Sequence, residues 1–221
     1  MSATARSPAP PGDALRLFIF ARHAESVANA AGVLCGDPSR PAALTPRGRE
    51  QARALGAQLA NLHIDVAVAT RLLRTQQTIE IALDGRPVPV VIESGLDELR
   101  AGDLDGAPIE AYLAWKAQHT PDDRLPHGES INDALRRYAD ALRRLVTRTE
   151  TVTLVVAHEL ALRHIAAAAA GGWSGLPPAA IGNAVPYLFD EPAVQRAAAD
   201  LDAMALSAHP QPERSRRGQI C

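Results

Sequence analysis

Apolar runs alternate with helical stripes along this chain, and the order of the two predicts a layered fold. The run Leu15-Arg16-Leu17-Phe18-Ile19-Phe20-Ala21 reads as a buried strand. It gives way to a loop punctuated by Gly32, Gly36, Pro38 and Pro41. Thr45-Pro46 then opens a helix, with Thr45 as the cap and Pro46 suited to the first turn. Ala52, Leu55, Leu59 and Leu62 keep helical spacing and lead into the short strand Val66-Ala67-Val68-Ala69. A second helix is expected from about Leu72 to Leu83, followed by Val88-Pro89-Val90-Val91-Ile92, which its proline demotes to an edge strand.

The stretch 95–128 has no sustained period and predicts one short helix around 108–118. Ser130-Ile131-Asn132-Asp133 resembles a capping box, and Ile131, Leu135, Tyr138, Leu142 and Leu145 continue it as one apolar stripe. Arg136, Arg137, Arg143 and Arg144 read as the solvated face of that helix. Val152-Thr153-Leu154-Val155-Val156-Ala157 predicts a fully buried strand, and an alanine-rich helix follows from about 160 to 170. Val185-Pro186-Tyr187-Leu188-Phe189 is a candidate last strand. From Glu191 the chain looks helical to about 206 and then, with Pro210, Pro212, Arg214, Arg216 and Arg217, disordered. No internal repeat is visible.

The order of elements predicts an α/β three-layer sandwich, a mainly parallel sheet with helices on both faces. Residues 1–14 read as a disordered leader, 15–190 as one domain with an insert at about 107–128, and 191–221 as a C-terminal helix and disordered tail. With 221 residues, 47% of them hydrophobic, one full core can be buried without a second domain. A formal net charge of -2 gives no general attraction to nucleic acid or anionic lipid, so any anion site must be local. Two cysteines, Cys35 and Cys221, are too few and too far apart for a disulfide framework, which fits a cytoplasmic protein with free thiols. No apolar run approaches a membrane span, and the proline-rich N-terminus lacks a signal-peptide core.

In a parallel sheet, ligands bind beyond the carboxyl ends of the strands. Arg22-His23 follows the first strand, Thr70 and Arg71 follow the second with Arg74 one turn on, and His158 follows the strand ending at Ala157. Each alone is more simply a surface residue. Together they bring cationic and imidazole groups to one rim, where an anion would sit.

These residues resemble the histidine phosphatase superfamily, in its phosphoglycerate-mutase-like branch. The resemblance rests on Arg22-His23-Ala24-Glu25-Ser26 with Asn29, on Gly36, on Leu44-Thr45 with Gly48, and on Thr70 to Thr78. It continues through Leu96-Asp97-Glu98 with Gly102 and Gly106, Gly128-Glu129-Ser130, Val155-Val156-Ala157-His158 with Arg163, and Asn183. It implies that His23 is a nucleophile forming a phosphohistidine, with Arg22 and Arg74 gripping the phosphoryl oxygens. It also implies that His158 and Asn29 donate hydrogen bonds to those oxygens. Glu98 takes the position of the general acid, against its plainer reading as a solvated loop residue beside Asp97. Glu25 is a candidate structural partner of an active-site arginine.

Three positions depart from the family pattern. Ala24 stands where Gly is frequent, a small change. Glu159 stands directly after His158 where Gly is usual; either it points away from the phosphate or it engages a cationic group on the substrate. Cys35, before Gly36, falls in a substrate-contacting loop and either lines the pocket or packs within the loop. The implied substrate is a small-molecule phosphate ester, with no cofactor or metal; His63, His119, His127, His164 and His209 lack ligand spacing. The insert holds only Lys116 and Arg124 as cations, which favours a phosphohydrolase over a phosphoglycerate-type mutase. Tyr112, Leu113 and Trp115 either cover an apolar substrate group or pack a helix. A non-catalytic phospholigand-binding module is the alternative of another class, and a homodimer is left open.

Overall fold

The computed structural model describes residues 15–170 and 181–206. Five strands form one sheet: β1 (Leu17–Arg22), β2 (Val66–Ala69), β3 (Val90–Ile92), β4 (Val152–Ala157) and β5 (Pro186–Asp190), in the order β3-β2-β4-β1-β5. All pairings are parallel except β1 with β5, which is antiparallel. The α/β sandwich read from the sequence is therefore the fold observed.

Alternation of side chains along the central strands supplies both helical layers from the same few residues. Phe18 and Phe20 of β1, Val68 of β2, and Val155 and Ala157 of β4 face α5 (Ile131–Val146), α6 (Glu159–Ala169) and α7 (Glu191–Leu206). Ile19, Ala21, Ala67, Ala69, Leu154 and Val156 face the other way, onto α2 (Pro46–Gln58) and α3 (Leu73–Ala82). Burial on both faces explains why β1 and β4 lack polar alternation. At the sheet edge β3 is only three residues long, with Val90 and Ile92 half exposed. Pro89 lends its carbonyl to Ala67 N–H at 2.9 Å, the one backbone bond a proline can still make.

Local signals placed the helix starts well. Thr45 Oγ1 accepts from Gly48 N–H at 2.9 Å ahead of Pro46, and Ser130 caps α5 in a reciprocal box with Asp133. Leu62 lies past the end of α2 and is exposed, so it does not extend the α2 stripe. The solvated-face reading of α5 holds for Arg136, Arg143 and Arg144, whose side chains are about half exposed, and fails for Arg137. Arg137 is largely buried and ion-paired to buried Glu129, while Arg144 reaches Glu93 and Arg143 reaches Asp202. Neighbouring segments bring carboxylates to these arginines, which a helical wheel does not reveal.

The irregular stretch contains two 3-10 turns (Ser94–Leu96 and Gly102–Leu104) and α4 (Ile109–Lys116). It is stitched to the loop after α1 (Val27–Ala30) by Leu34 N–H to Ala107 O and Ile109 N–H to Gly32 O, both 2.9 Å. The readings of disorder at 1–14 and in the tail after 206 lie outside the described residues. No described helix is long and apolar enough to cross a membrane.

Candidate active site

Sheet register decides where the site lies. Arg22 pairs with Ala157 across β1 and β4, and His23 N–H continues the ladder to Ala157 O at 2.9 Å. The next residues on the two strands, His23 and His158, therefore emerge side by side, with ring centroids 5.2 Å apart. Thr70 leaves β2, the other neighbour of β4, and its Oγ1 lies 3.0 Å from His158 Nε2. Arg74, in the first turn of α3, reaches both rings: Nε to His23 Nε2 at 2.9 Å and Nη2 to His158 Nδ1 at 3.2 Å. His23, Arg74 and His158 are all buried.

Hydrogen bonding fixes the state of the first ring. His23 Nδ1 lies 2.8 Å from Ala24 O, and a carbonyl only accepts, so Nδ1 carries the proton. Nε2 is then a bare lone pair turned toward Arg74. Burial lowers the pKa of His23 well below 6.5, with Arg74 and then Arg22 adding to the shift, so the ring stays neutral. The same forces, burial and then Arg74, hold His158 neutral. His158 does not stand as the free hydrogen-bond donor expected of it: both ring nitrogens are already engaged, one by Thr70 and one by Arg74.

Arg22 donates through Nη1 to Ile181 O at 3.0 Å and pairs with Glu159 Oε2 at 2.8 Å. Its Nε is buried without a partner among the described residues. Glu159 thus follows neither expected course. It lines the cleft but engages the protein's own arginines, Arg22 and, at 3.9 Å, Arg163. Glu25 is corrected likewise: it accepts from Thr45 Oγ1 at 2.8 Å and lies 3.6 Å from Arg47, bracing the start of α2 instead of an active-site arginine.

Glu98 faces the cleft with its side chain 23% exposed, Oε2 3.9 Å from His158 Nδ1 and Oε1 accepting from Leu99 N–H at 2.9 Å. Burial raises its pKa, outweighing the nearby Arg74 charge. The reading of Glu98 as a solvated loop residue is excluded by this placement. The segment is clamped from behind: Asp97 takes Arg71 N–H and Nε–H, and Arg137 Nη1 donates to Gly95 O and Asp97 O at 3.0 and 2.9 Å. Arg71, expected at the rim, is spent on this support.

A cleft of about 330 Å³ opens over these groups. Asn29 lines it; its Oδ1 accepts from Ser26 N–H and Oγ–H, which leaves the amide NH₂ for a ligand. Cys35 also lines it, and its carbonyl accepts from Arg74 Nη2 at 2.9 Å while its thiol lies 3.6 Å from Nη1. Gly36 is needed for packing, since a Cβ there would lie 2.0 Å from Leu99 O. The far wall is apolar, with Val33, Leu34, Ile109, Tyr112, Leu113 and Leu160, and carries Lys116 and Arg163. Tyr112 and Leu113 therefore face the cleft, whereas Trp115 packs toward the core and stacks on His119 at 4.1 Å. Among the described residues no group of His, Cys, Asp and Glu could hold a metal ion.

Residues 18–185 match the histidine phosphatase superfamily (branch 1). The chain belongs to this superfamily. Among its relatives, a protein from Erwinia tasmaniensis named probable phosphoglycerate mutase GpmB is 32% identical over 149 residues, 64% of this chain and 68% of that protein. The α-ribazole phosphatase of Shigella flexneri superposes with a TM-score of 0.68 at 26% identity, covering 78% of this chain and 89% of the other. A mycobacterial glucosyl-3-phosphoglycerate phosphatase, at 22% identity, shares the fold with a TM-score of 0.62, covering 79% and 89%.

For this histidine phosphatase superfamily enzyme, sequence reading assembled Arg22, His23, Asn29, Cys35, Gly36, Arg74, Glu98, His158 and Glu159; the structure brings all but His158 to the lining of one cleft, with His158 buried against its Arg74. It gave no role to Thr70, the partner of His158, or to Asn183, whose Nδ2 donates to His23 O at 2.7 Å. Both stood within quoted motifs, yet nothing in a one-dimensional pattern says which ring atom they meet. Arg163, one turn after Glu159 on α6, was legible as an i,i+4 neighbour once Glu159 was suspected of facing inward.

Proposed function

We propose that this enzyme hydrolyses small-molecule phosphate monoesters in two displacements, through a phosphohistidine on His23. The observation that carries the reading is the neutral His23 ring, proton on Nδ1 and lone pair on Nε2, buried beside Arg74. Nε2 attacks phosphorus as the ester oxygen leaves, and Glu98, whose pKa burial raises, gives its proton to the departing alkoxide. The Glu98 carboxylate then takes a proton from a water that attacks the phosphohistidine, releasing phosphate and restoring both groups.

Charge on the transferring group is met by Arg74 and by the unspent edge of Arg22, helped by the Asn29 amide. One such preorganised donor typically lowers the barrier by about 3 kcal/mol, roughly a hundredfold in rate. These groups supply the charge compensation without a metal in any step, so activity should survive EDTA. The wall formed by Ile109, Tyr112 and Leu113 favours an uncharged apolar or aromatic leaving group.

Hydrolysis of p-nitrophenyl phosphate by the wild type and by His23→Ala tests the reading, together with trapping of an acid-labile phosphoprotein during turnover. Full activity of His23→Ala would refute it. A phosphoglycerate-type phosphomutase is the second reading, favoured by Lys116 and Arg163 on the far wall; against it, Glu159 lies 3.9 Å from Arg163 and places a carboxylate where a second anion would bind. Transfer between phosphoglycerate positions at rates above hydrolysis would decide for the mutase.

A further inference from the structure

Behind His158 runs a chain of hydroxyls whose donors can be assigned one by one. Thr75 Oγ1 lies 2.8 Å from Leu72 O, a carbonyl that only accepts, so the Thr75 hydroxyl proton points there. Thr75 Oγ1 is then left as an acceptor, taking Thr70 N–H at 3.1 Å and facing Thr70 Oγ1 at 3.0 Å. The Thr70 hydroxyl must therefore donate to Thr75, and its own oxygen accepts, from Leu72 N–H at 3.3 Å and from His158 Nε2 at 3.0 Å. That last bond requires a proton on Nε2. A neutral imidazole has only one, so Nδ1 is bare, which agrees with its acceptance from Arg74 Nη2 at 3.2 Å.

All four groups in this chain are fully or nearly fully buried, so a hydroxyl turned the wrong way would leave a buried polar group unpaired. When a phosphoryl dianion takes over the Arg74 donors, Nδ1 and a phosphoryl oxygen face each other as two acceptors. They can share a hydrogen bond only if a second proton enters the ring.

We propose that Thr70 is a positioning residue that fixes His158 as the Nε2–H tautomer, so that a phosphoryl dianion binds together with one proton taken up from solvent at Nδ1. This rests on the reading of the cleft as a phosphoryl site. The charged groups facing His158 set the balance: Arg22 from β1, Arg74 from α3, Arg137 from α5 and the neutral His23 oppose the extra proton. The arriving dianion favours it, and Glu98, 3.9 Å away, adds to that only when ionised. Affinity for a dianion that does not titrate near neutrality, such as sulfate, should accordingly rise as pH falls.

The test needs no turnover. In ¹⁵N-histidine-labelled protein, with His158 assigned by its loss in His158→Asn, the free enzyme should show a proton on Nε2 alone. Sulfate, a dianion that does not titrate near neutrality, should bring both nitrogens to the protonated state. Calorimetry in buffers of different ionisation enthalpy should then count about one proton taken up per sulfate bound. Thr70→Val removes the acceptor and should move the neutral ring toward Nδ1–H and reduce the uptake to less than half. Thr70→Ser, which keeps the hydroxyl with less disturbance to packing, should restore both. A free enzyme carrying Nδ1–H, or sulfate bound without proton uptake, overturns the proposal. If neither sulfate nor inorganic phosphate binds, the phosphoryl-site reading and the proton-linked step fall together, while the free-enzyme spectrum still decides the tautomer.

Discussion

The two ends of the cleft are built differently. At the phosphate end, His23, Thr70 and His158 leave three adjacent parallel strands, and each lies one residue beyond a strand end. Their spacing is the spacing of the sheet, so little can move without breaking ladder bonds. The leaving-group end is made of α4 and the loop at 32–36, held to each other by backbone bonds and to the phosphate end by Arg74 Nη2 on Cys35 O. Glu98 stands between the two, on a segment immobilised from behind by Arg137. A rigid, strand-built end suits chemistry that is sensitive to fractions of an ångström, and a loop-built end suits recognition that varies between relatives.

This contrast predicts a graded series of effects. His23→Ala removes the attacking atom and should reduce turnover of p-nitrophenyl phosphate by at least about a thousandfold, with the fold intact by circular dichroism. Arg74→Ala withdraws donors from both rings and the phosphoryl group at once, and should lower kcat by about a hundredfold or more, with KM changing less. Loss in KM alone would mean that the strand-built end only binds.

Glu98→Gln should separate esters by leaving group. An alkyl phosphate, whose alkoxide needs a proton, should lose about a hundredfold in kcat/KM, which reports the first displacement, while kcat/KM for p-nitrophenyl phosphate should change little. Because burial raises the Glu98 pKa, its acid form persists above the ordinary carboxylate range. Turnover of the alkyl ester should fall as pH rises through that raised pKa, and the limb should vanish in the variant. Equal loss in kcat/KM on both esters would remove Glu98 from protonation of the leaving group.

Support from behind is testable by stability. Glu129 is 1% exposed and takes Arg137 together with Arg100 at 3.0 Å. Glu129→Ala would strand the Arg137 charge and should cost about 3 kcal/mol in urea unfolding. The smallest effect belongs to the loop-built end: Leu113→Ala should raise KM for an aromatic ester by about threefold to tenfold and leave kcat within twofold, since only apolar contact is lost. A large loss in kcat there would erase the contrast between the two ends.

The contrast also separates what could be read early from what could not. β1 and β4 were plain because residues buried on both faces leave an uninterrupted apolar run, and α2 and α5 were plain because Thr45-Pro46 and Ser130–Asp133 announce their starts. The histidines and arginines of the phosphate end were legible for the same reason: strand ends are marked in the sequence, and a parallel sheet sends them to one rim. Arg137 misled because a charged residue on a polar helical stripe looks solvated until a buried carboxylate such as Glu129 is brought over it. Glu159 misled because its partner, Arg22, is remote in the chain and adjacent only through the pairing of β1 with β4.

By itself, then, the sequence determined the layers, the family and the residue types gathered at the rim, since these follow from local periodicity and from which residues follow each strand. Only the tertiary structure decided who holds whom: the proton on His23 Nδ1, the hydroxyl chain behind His158, Glu159 on Arg22 and the far wall of the cleft. Those are contacts between segments far apart in the chain, chosen by strand register and by the packing of an aperiodic insert, and no one-dimensional pattern encodes them.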